Sequence, residues 1–309
     1  MEQPTQNQNP KREGLIKSLL NRFTWISWTV SIFIASCVFI FVKQVVFDFV
    51  LVNDNSMSGT LNMGDAVLVK NFLNKYQKGH IVYFNFPVKD SSGVDNLCIM
   101  RLVASPGDTF EISDQKLYVN NSALEDWDGV KHNYFIKSKG VGLDSIFRAK
   151  FNLFEGGSVS SKFDYSFSLT KKQSAALKED SIIEKVELKM EKKGFPDINC
   201  FPAEVGFLWN MDQYGKIYIP KKNDTLALDT TSIKLYSQLI TSIEKNKLEI
   251  KSDSIFIANV LTKNYVVKQN YYFVLGDNRA NAIDSRIWGF LPESCIKGRV
   301  ITRVKKAKK

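Results

Sequence analysis

Tyr271–Glu293 reads YYFVLGDNRANAIDSRIWGFLPE. The aromatic and branched run Tyr271–Leu275 has the composition of a strand, and it stops at Gly276-Asp277-Asn278, residues that tolerate turn geometry. Working outward, AVLVK (66–70), HIVYFNF (80–86), LCIMRLV (97–103), KLYVN (116–120) and KIYIP (216–220) repeat this pattern between Gly, Asp and Asn punctuation. KLYVNNSAL reads as strand, Asn-Asn turn and second strand. Only two segments read as helices. One is short and follows Thr170; the other runs from Thr231 to Glu244, where Ile233, Tyr236, Ile240 and Ile243 share a face. The fold class is therefore mostly β, and no internal repeat is visible.

The chain has 309 residues, 44% of them hydrophobic, enough to bury a sizeable core. Its formal charge of +10 comes from scattered lysines without a recognition helix or RNA-binding pattern, so nucleic acid is not expected as a partner. A surface of anionic lipid and an ordinary solvated lysine surface both account for the charge. Cys37, Cys98, Cys200 and Cys295 lack the close Cys or His spacing of a zinc or redox site, and no metal or cofactor is implied.

Phe23–Val42, FTWISWTVSIFIASCVFIFV, carries no charge. As a helix of roughly 20 residues it spans about 30 Å of hydrocarbon, which predicts a transmembrane helix over 23–43. Lys11, Arg12, Lys17 and Arg22 precede it against Glu2 and Glu13, so residues 1–22 are expected in the cytoplasm and the rest on the outer or periplasmic face. The run is long for a cleaved signal peptide. Ile34-Ala35-Ser36-Cys37 looks like a lipoprotein cleavage site, but Val38–Val42 behind it offers no polar tether.

Three separated segments bear the chemistry. Behind the apolar run comes VNDNSMSGTLNMGDAVLVKNF (52–72), then LCIMRLVASPGDTFEI (97–112) with Ile99-Met100-Arg101 and Pro106-Gly107-Asp108, and finally the 271–293 block. In this order they resemble the signal peptidase I family, membrane-anchored serine endopeptidases with a Ser/Lys dyad. The resemblance implies a Ser56 nucleophile and a mostly antiparallel β catalytic domain. WNMDQYGKIYIPKK (209–222) is similar to long-insertion members, which implies catalytic-type parts over 44–124 and 269–309 and an α+β accessory domain over 125–268.

A serine hydroxyl needs a base to take its proton during attack. The resemblance assigns that base to position 100, where this chain has Met100, a thioether that accepts no proton at ordinary pH. The base-orienting serine of the family corresponds to Ala282, and the oxyanion-donor hydroxyl to Asp54, whose charge would repel a developing oxyanion. Gly59 stands where the family has proline, and Ala280 replaces a polar residue. By the same resemblance Asp277, Arg279, Asp284 and Arg286 form structural ion pairs near the site.

Other bases were open to the chain. His80 and His132 read as structural polar residues, whereas Asp54 reaches Ser56 if both project from one face of an extended strand. Phe47, Phe49, Trp288 and Phe290 are open to either core packing or lipid contact. By family the function is removal of signal peptides from preproteins, with small residues before the cut. The rival is a pseudopeptidase that binds preproteins or regulates an active paralogue. Expected partners are preprotein signal peptides, membrane lipids and, for the rival, that paralogue.

Overall fold

The computed structural model describes residues 24–40, 46–71, 75–87, 96–252 and 254–305. The chain forms two compact units, Met1–Asp48 and Phe49–Lys309. In the first, residues 24–40 are helical, with exposed apolar side chains such as Trp25, Phe33 and Phe39. That length corresponds to about 25 Å against about 30 Å of hydrocarbon. Among the described residues no helix is long and apolar enough to cross a membrane. The expected spanning helix over 23–43 is thus described as helix only at 24–40; residues 23 and 41–43 lie outside the described residues.

The second unit is mostly β, and its first strand begins two residues before the unit's boundary, at Phe47. Its strands are β1 (Phe47–Leu51), β2 (Ala66–Lys70), β3 (Ile81–Asn85), β4 (Leu97–Ala104), β5 (Thr109–Ser113), β6 (Lys116–Val119), β7 (Ser122–Leu124), β8 (Lys131–Ser138), β9 (Gly156–Ser158), β10 (Asp164–Thr170) and β11 (Ile183–Leu188). They continue with β12 (Tyr214–Tyr218), β13 (Thr225–Ala227), β14 (Leu248–Lys251), β15 (Ser254–Ile257), β16 (Val260–Leu261), β17 (Asn264–Val266), β18 (Tyr271–Leu275), β19 (Leu291–Pro292) and β20 (Ile296–Lys305). The largest sheet has the order β1-β2-β20-β3-β4-β18-β19.

Strand β4 lies inside that sheet, antiparallel to β3 and β18. It is buried from Ile99 to Ala104 because both of its faces are covered. Successive side chains point to opposite faces. Ile99 joins Val52, Met57, Leu61, Val67 and Val69 on one side, while Met100 and Leu102 join Val82, Phe84, Val274, Trp288 and Leu291 on the other. Trp288 and Phe290 are core residues, whereas Phe49 is exposed.

The region from 125 to 268 contains two kinds of structure. Strands β11-β8-β10-β9 form a separate sheet over a core of Tyr134, Ile136, Phe167, Leu169 and Leu177. Its helix α2 (Lys171–Lys178), numbered after α1 (Ser145–Phe151), starts at a capping box between Thr170 and Gln173. By contrast β12 pairs with β5, and Tyr214, Ile233 and Tyr265 share a cluster with Phe110 and Phe273. The helix expected from Thr231 is α3 (Ser232–Gln238), and it widens at Leu239–Ile243, where the Glu244 N–H reaches back to the Leu239 carbonyl at 2.9 Å. The Asn-Asn hairpin is present: Asn120 and Asn121 have φ of 52° and 64° between the paired β6 and β7.

Candidate active site

The chain after β1 does not continue as a strand; residues 54–60 bend and turn. The Ser58 N–H donates to the Asn55 carbonyl at 3.0 Å, and the Thr60 and Leu61 N–H groups to that of Met57 at 3.0 and 2.8 Å. Met57 and Leu61 anchor this loop in the core. The Ser56 N–H donates to Asp54 Oδ1 at 2.7 Å, the local turn that a short carboxylate makes with the amide two residues on. This corrects the strand expectation. Asp54 engages the Ser56 amide, and the Ser56 hydroxyl makes no hydrogen bond among the described residues.

Gly276 forms the other wall. A Cβ there would lie 2.5 Å from the Ser56 carbonyl oxygen and 2.3 Å from Ala282 Cβ, so only glycine allows the two segments to touch. The Asn278 N–H donates to that same Ser56 carbonyl at 2.9 Å. Leu275 pairs with Arg101; one step further along the antiparallel ladder are Gly276 and Met100. Ser56, Asp54 and Ala282 thus converge at Gly276, with Met100 on the adjoining strand. Met100 is 2% exposed. It packs in a hydrophobic cluster with Val82, Phe84, Leu102, Val274 and Trp288. Burial, then the charge of Asp54, push the Cys98 thiol up to about 11, and burial raises Tyr272 as well. The Met100 thioether itself accepts no proton at ordinary pH.

Beneath the site, Arg101 donates from Nε to Asp277 Oδ1 at 2.8 Å and from Nη2 to Oδ2 at 2.5 Å, and its guanidinium lies 4.9 Å from the Trp127 ring centroid. Thr60 Oγ1 also donates to Asp277 Oδ2, at 2.6 Å. Arg286 donates to both Asp284 oxygens at 2.9 and 2.7 Å, and Asp284 Oδ2 accepts the Gly276 N–H at 3.1 Å. Asp284 therefore fixes Gly276 and, through it, the wall against Ser56. Arg279 donates to the Gly276 carbonyl at 3.1 Å; burial holds its pKa below the ordinary value.

The two histidines are committed elsewhere. The Gln77 N–H donates to His80 Nδ1 at 3.1 Å, and Arg299 lies 3.1 Å from Nε2. Burial and that cation lower the His80 pKa. His132 Nε2 meets Asp126 Oδ2 at 2.8 Å, with Arg279 at 3.6 Å from the same carboxylate. Burial raises the Asp126 carboxyl, but the His132 and Arg279 contacts outweigh it and leave the group below its usual value. Neither ring contacts Ser56.

A second polar cluster has no sequence signal, because its members are far apart in the chain. Lys131 Nζ donates to Ser58 Oγ and to Glu155 Oε1, each at 2.9 Å. Ser58 Oγ donates to Glu155 as well. Asn278 Nδ2 donates to Glu155 Oε2 at 2.7 Å and to the Asn55 carbonyl at 3.0 Å. Burial raises the Glu155 carboxyl, but the Lys131 and Ser58 hydrogen bonds prevail and hold it below its ordinary range. Gly59 belongs to the same junction. Its φ of 101° is closed to proline, and a Cβ would lie 2.2 Å from the Gly129 carbonyl oxygen.

Comparison with known proteins identifies the family. The family model described as "Signal peptidase, peptidase S26" matches residues 25–177 and 216–305. Signal peptidase I of Bacillus amyloliquefaciens is 29% identical over 146 residues, covering 46% of this chain and 72% of that protein. Signal peptidase I T of Bacillus subtilis strain 168 is 27% identical over 146 residues, with the same coverage of 46% and 72%. Signal peptidase I of Aquifex aeolicus is 57% identical over 35 residues, 11% of this chain and 14% of that one. A crystal structure of a signal peptidase I from Enterococcus faecalis V583 has 18% identity and a TM-score of 0.27, covering 74% of this chain and 99% of that one.

Proposed function

The chain belongs to the signal peptidase S26 family, and we propose that it acts there as a binding subunit, engaging preprotein signal peptides without ordinary Ser/Lys cleavage. The observation that carries this reading is the pairing of two defects at one serine. Position 100 supplies an apolar side chain in an apolar cluster instead of an amine, and the Ser56 N–H, the natural oxyanion donor, is already held by the Asp54 carboxylate. A carboxylate there disfavours the charge that the transition state develops. The family-level activity remains removal of signal peptides by a serine peptidase; the retained Ser56, Gly276 and ion pairs support a preserved groove.

In this reading the signal peptide binds as an extended strand, with small residues before the Ser56 position. Residues 23–43 anchor the protein in the cytoplasmic membrane with the N-terminus inside, a topology supported by the basic flank Lys11, Arg12, Lys17 and Arg22. An active family member in the same membrane is its natural partner. The test is to measure binding and cleavage of one signal-peptide substrate by the same preparation. Binding without cleavage is expected; cleavage abolished by Ser56→Ala would restore the peptidase reading.

A further inference from the structure

A groove of about 510 Å³ opens beside Ser56. On one side its wall is Asn55, Asn278 and Asn281, the segments that hold the nucleophile loop; on the other it is Gly156–Val159 with Ser166 and Ser168. Its floor is tied down. Ser168 Oγ donates to Asn278 Oδ1 at 2.6 Å, Glu155 accepts from Asn278 and Lys131, and the Asn278 N–H donates to Ser56. The Glu155 charge, the carboxylate of this wall, is paired with the Lys131 ammonium at 2.9 Å. The rest of the lining is uncharged, amide and hydroxyl side chains and glycine backbone with Val159 and Ala280 among them, and suits a polypeptide rather than an ion.

Strand β9 forms the edge of its sheet, next to β10. In an antiparallel pair the hydrogen-bonded positions alternate. The Val159 N–H donates to the Asp164 carbonyl and the Ser168 N–H to the Glu155 carbonyl, each at 2.9 Å. Residues 155, 157 and 159 therefore point their backbone groups toward β10, and Gly156 and Ser158 point theirs to the open edge. No other strand pairs with this edge among the described residues. A Cβ on Gly157 would meet nothing within 4 Å, so the sheet face at the middle of β9 is open.

We propose that β9 pairs, through the backbone of Gly156 and Ser158, with the mature segment that follows the signal peptide, so that a chain passing Ser56 continues as an added strand on this edge. The inference rests on the signal-peptide reading above and extends it to the other side of the cut. β-Strand addition supplies affinity through main-chain hydrogen bonds and little side-chain selectivity, as suits mature segments of varied sequence.

The test uses the full chain in detergent and two fluorescent peptides. The short one ends one residue past the cut; the long one extends it by about eight residues, enough to traverse β9. Three proteins are compared: the natural chain, Ser158→Pro and Ser158→Ala. Proline removes the outward N–H and leaves the β10 ladder intact; alanine keeps the N–H and controls for the hydroxyl, which donates to the Ser161 carbonyl at 2.6 Å. The long peptide is expected to bind the natural chain and Ser158→Ala about five- to tenfold more tightly than the short one, and Ser158→Pro to erase that difference alone. Equal binding of both peptides to the natural chain, or an unchanged preference in a folded Ser158→Pro protein, would overturn the inference while leaving signal-peptide binding intact. Absence of binding by either peptide would overturn the underlying reading and the inference with it.

Discussion

The Ser56 N–H donates to Asp54 Oδ1 at 2.7 Å, so the amide of the serine proposed as the nucleophile is occupied by a carboxylate from its own loop. Asp54→Ser is expected to free the amide and add a hydroxyl donor. Affinity for a peptide aldehyde that forms a tetrahedral adduct should rise about a hundredfold, with substrate-peptide affinity little changed. Inhibitor titration of both proteins checks this; equal affinities would show that the contact does not mask a donor.

Met100→Lys places an ammonium among Val82, Phe84, Val274 and Trp288. The variant is expected to lose about 2–4 kcal/mol of stability at neutral pH and to stay nearly inactive. Burial lowers the lysine pKa in the folded state, so the unfolded state binds more protons and stability rises with pH toward the ordinary lysine value. Urea midpoints between neutral and alkaline pH measure the slope. Adding Ala282→Ser and Asp54→Ser should raise cleavage by more than the product of the single gains, because the groups act as a unit.

Gly276→Ala forces a methyl against the Ser56 carbonyl and Ala282, at 2.5 and 2.3 Å. A loss of about 1–3 kcal/mol is expected, together with weakened peptide binding. Ala258→Gly in the exposed β15–β16 turn serves as the control and should leave both properties near the natural values.

Glu155 gives a pH signature. Its folded carboxyl is held below the ordinary 4.5, so its stabilisation is complete above that value and is lost as pH falls through the lower folded value. Denaturant midpoints of the natural chain and Glu155→Gln should differ at neutral pH and converge in acid. A pH-independent difference would mean that the ionised form has no special role.

Strands β4 and β18, the Asn120-Asn121 hairpin and the short helix after Thr170 were legible because each depends on neighbours within a few residues. The position of Met100 was also legible, since its segment carries the family pattern. The Asp54 contact was not, because an extended strand and a turn place the same two residues differently: the strand aims Asp54 at the hydroxyl side, the turn at the amide. Lys131, Ser58 and Glu155 meet across sequence separations of 73, 24 and 97 residues, and nothing local announces such pairs. Sequence alone gives Gly59 as a lost proline; the reason for glycine there, the Gly129 backbone packed against it, is 70 residues away in the chain.

The most direct measurement is single-turnover cleavage of a preprotein by the full chain, run beside an active member of the family at saturating, demonstrated binding. Without a base and with Asp54 on the Ser56 amide, cleavage is expected to be at least about a thousandfold slower than that of the active member. Cleavage at a comparable rate, lost on Ser56→Ala, would contradict the binding-subunit reading.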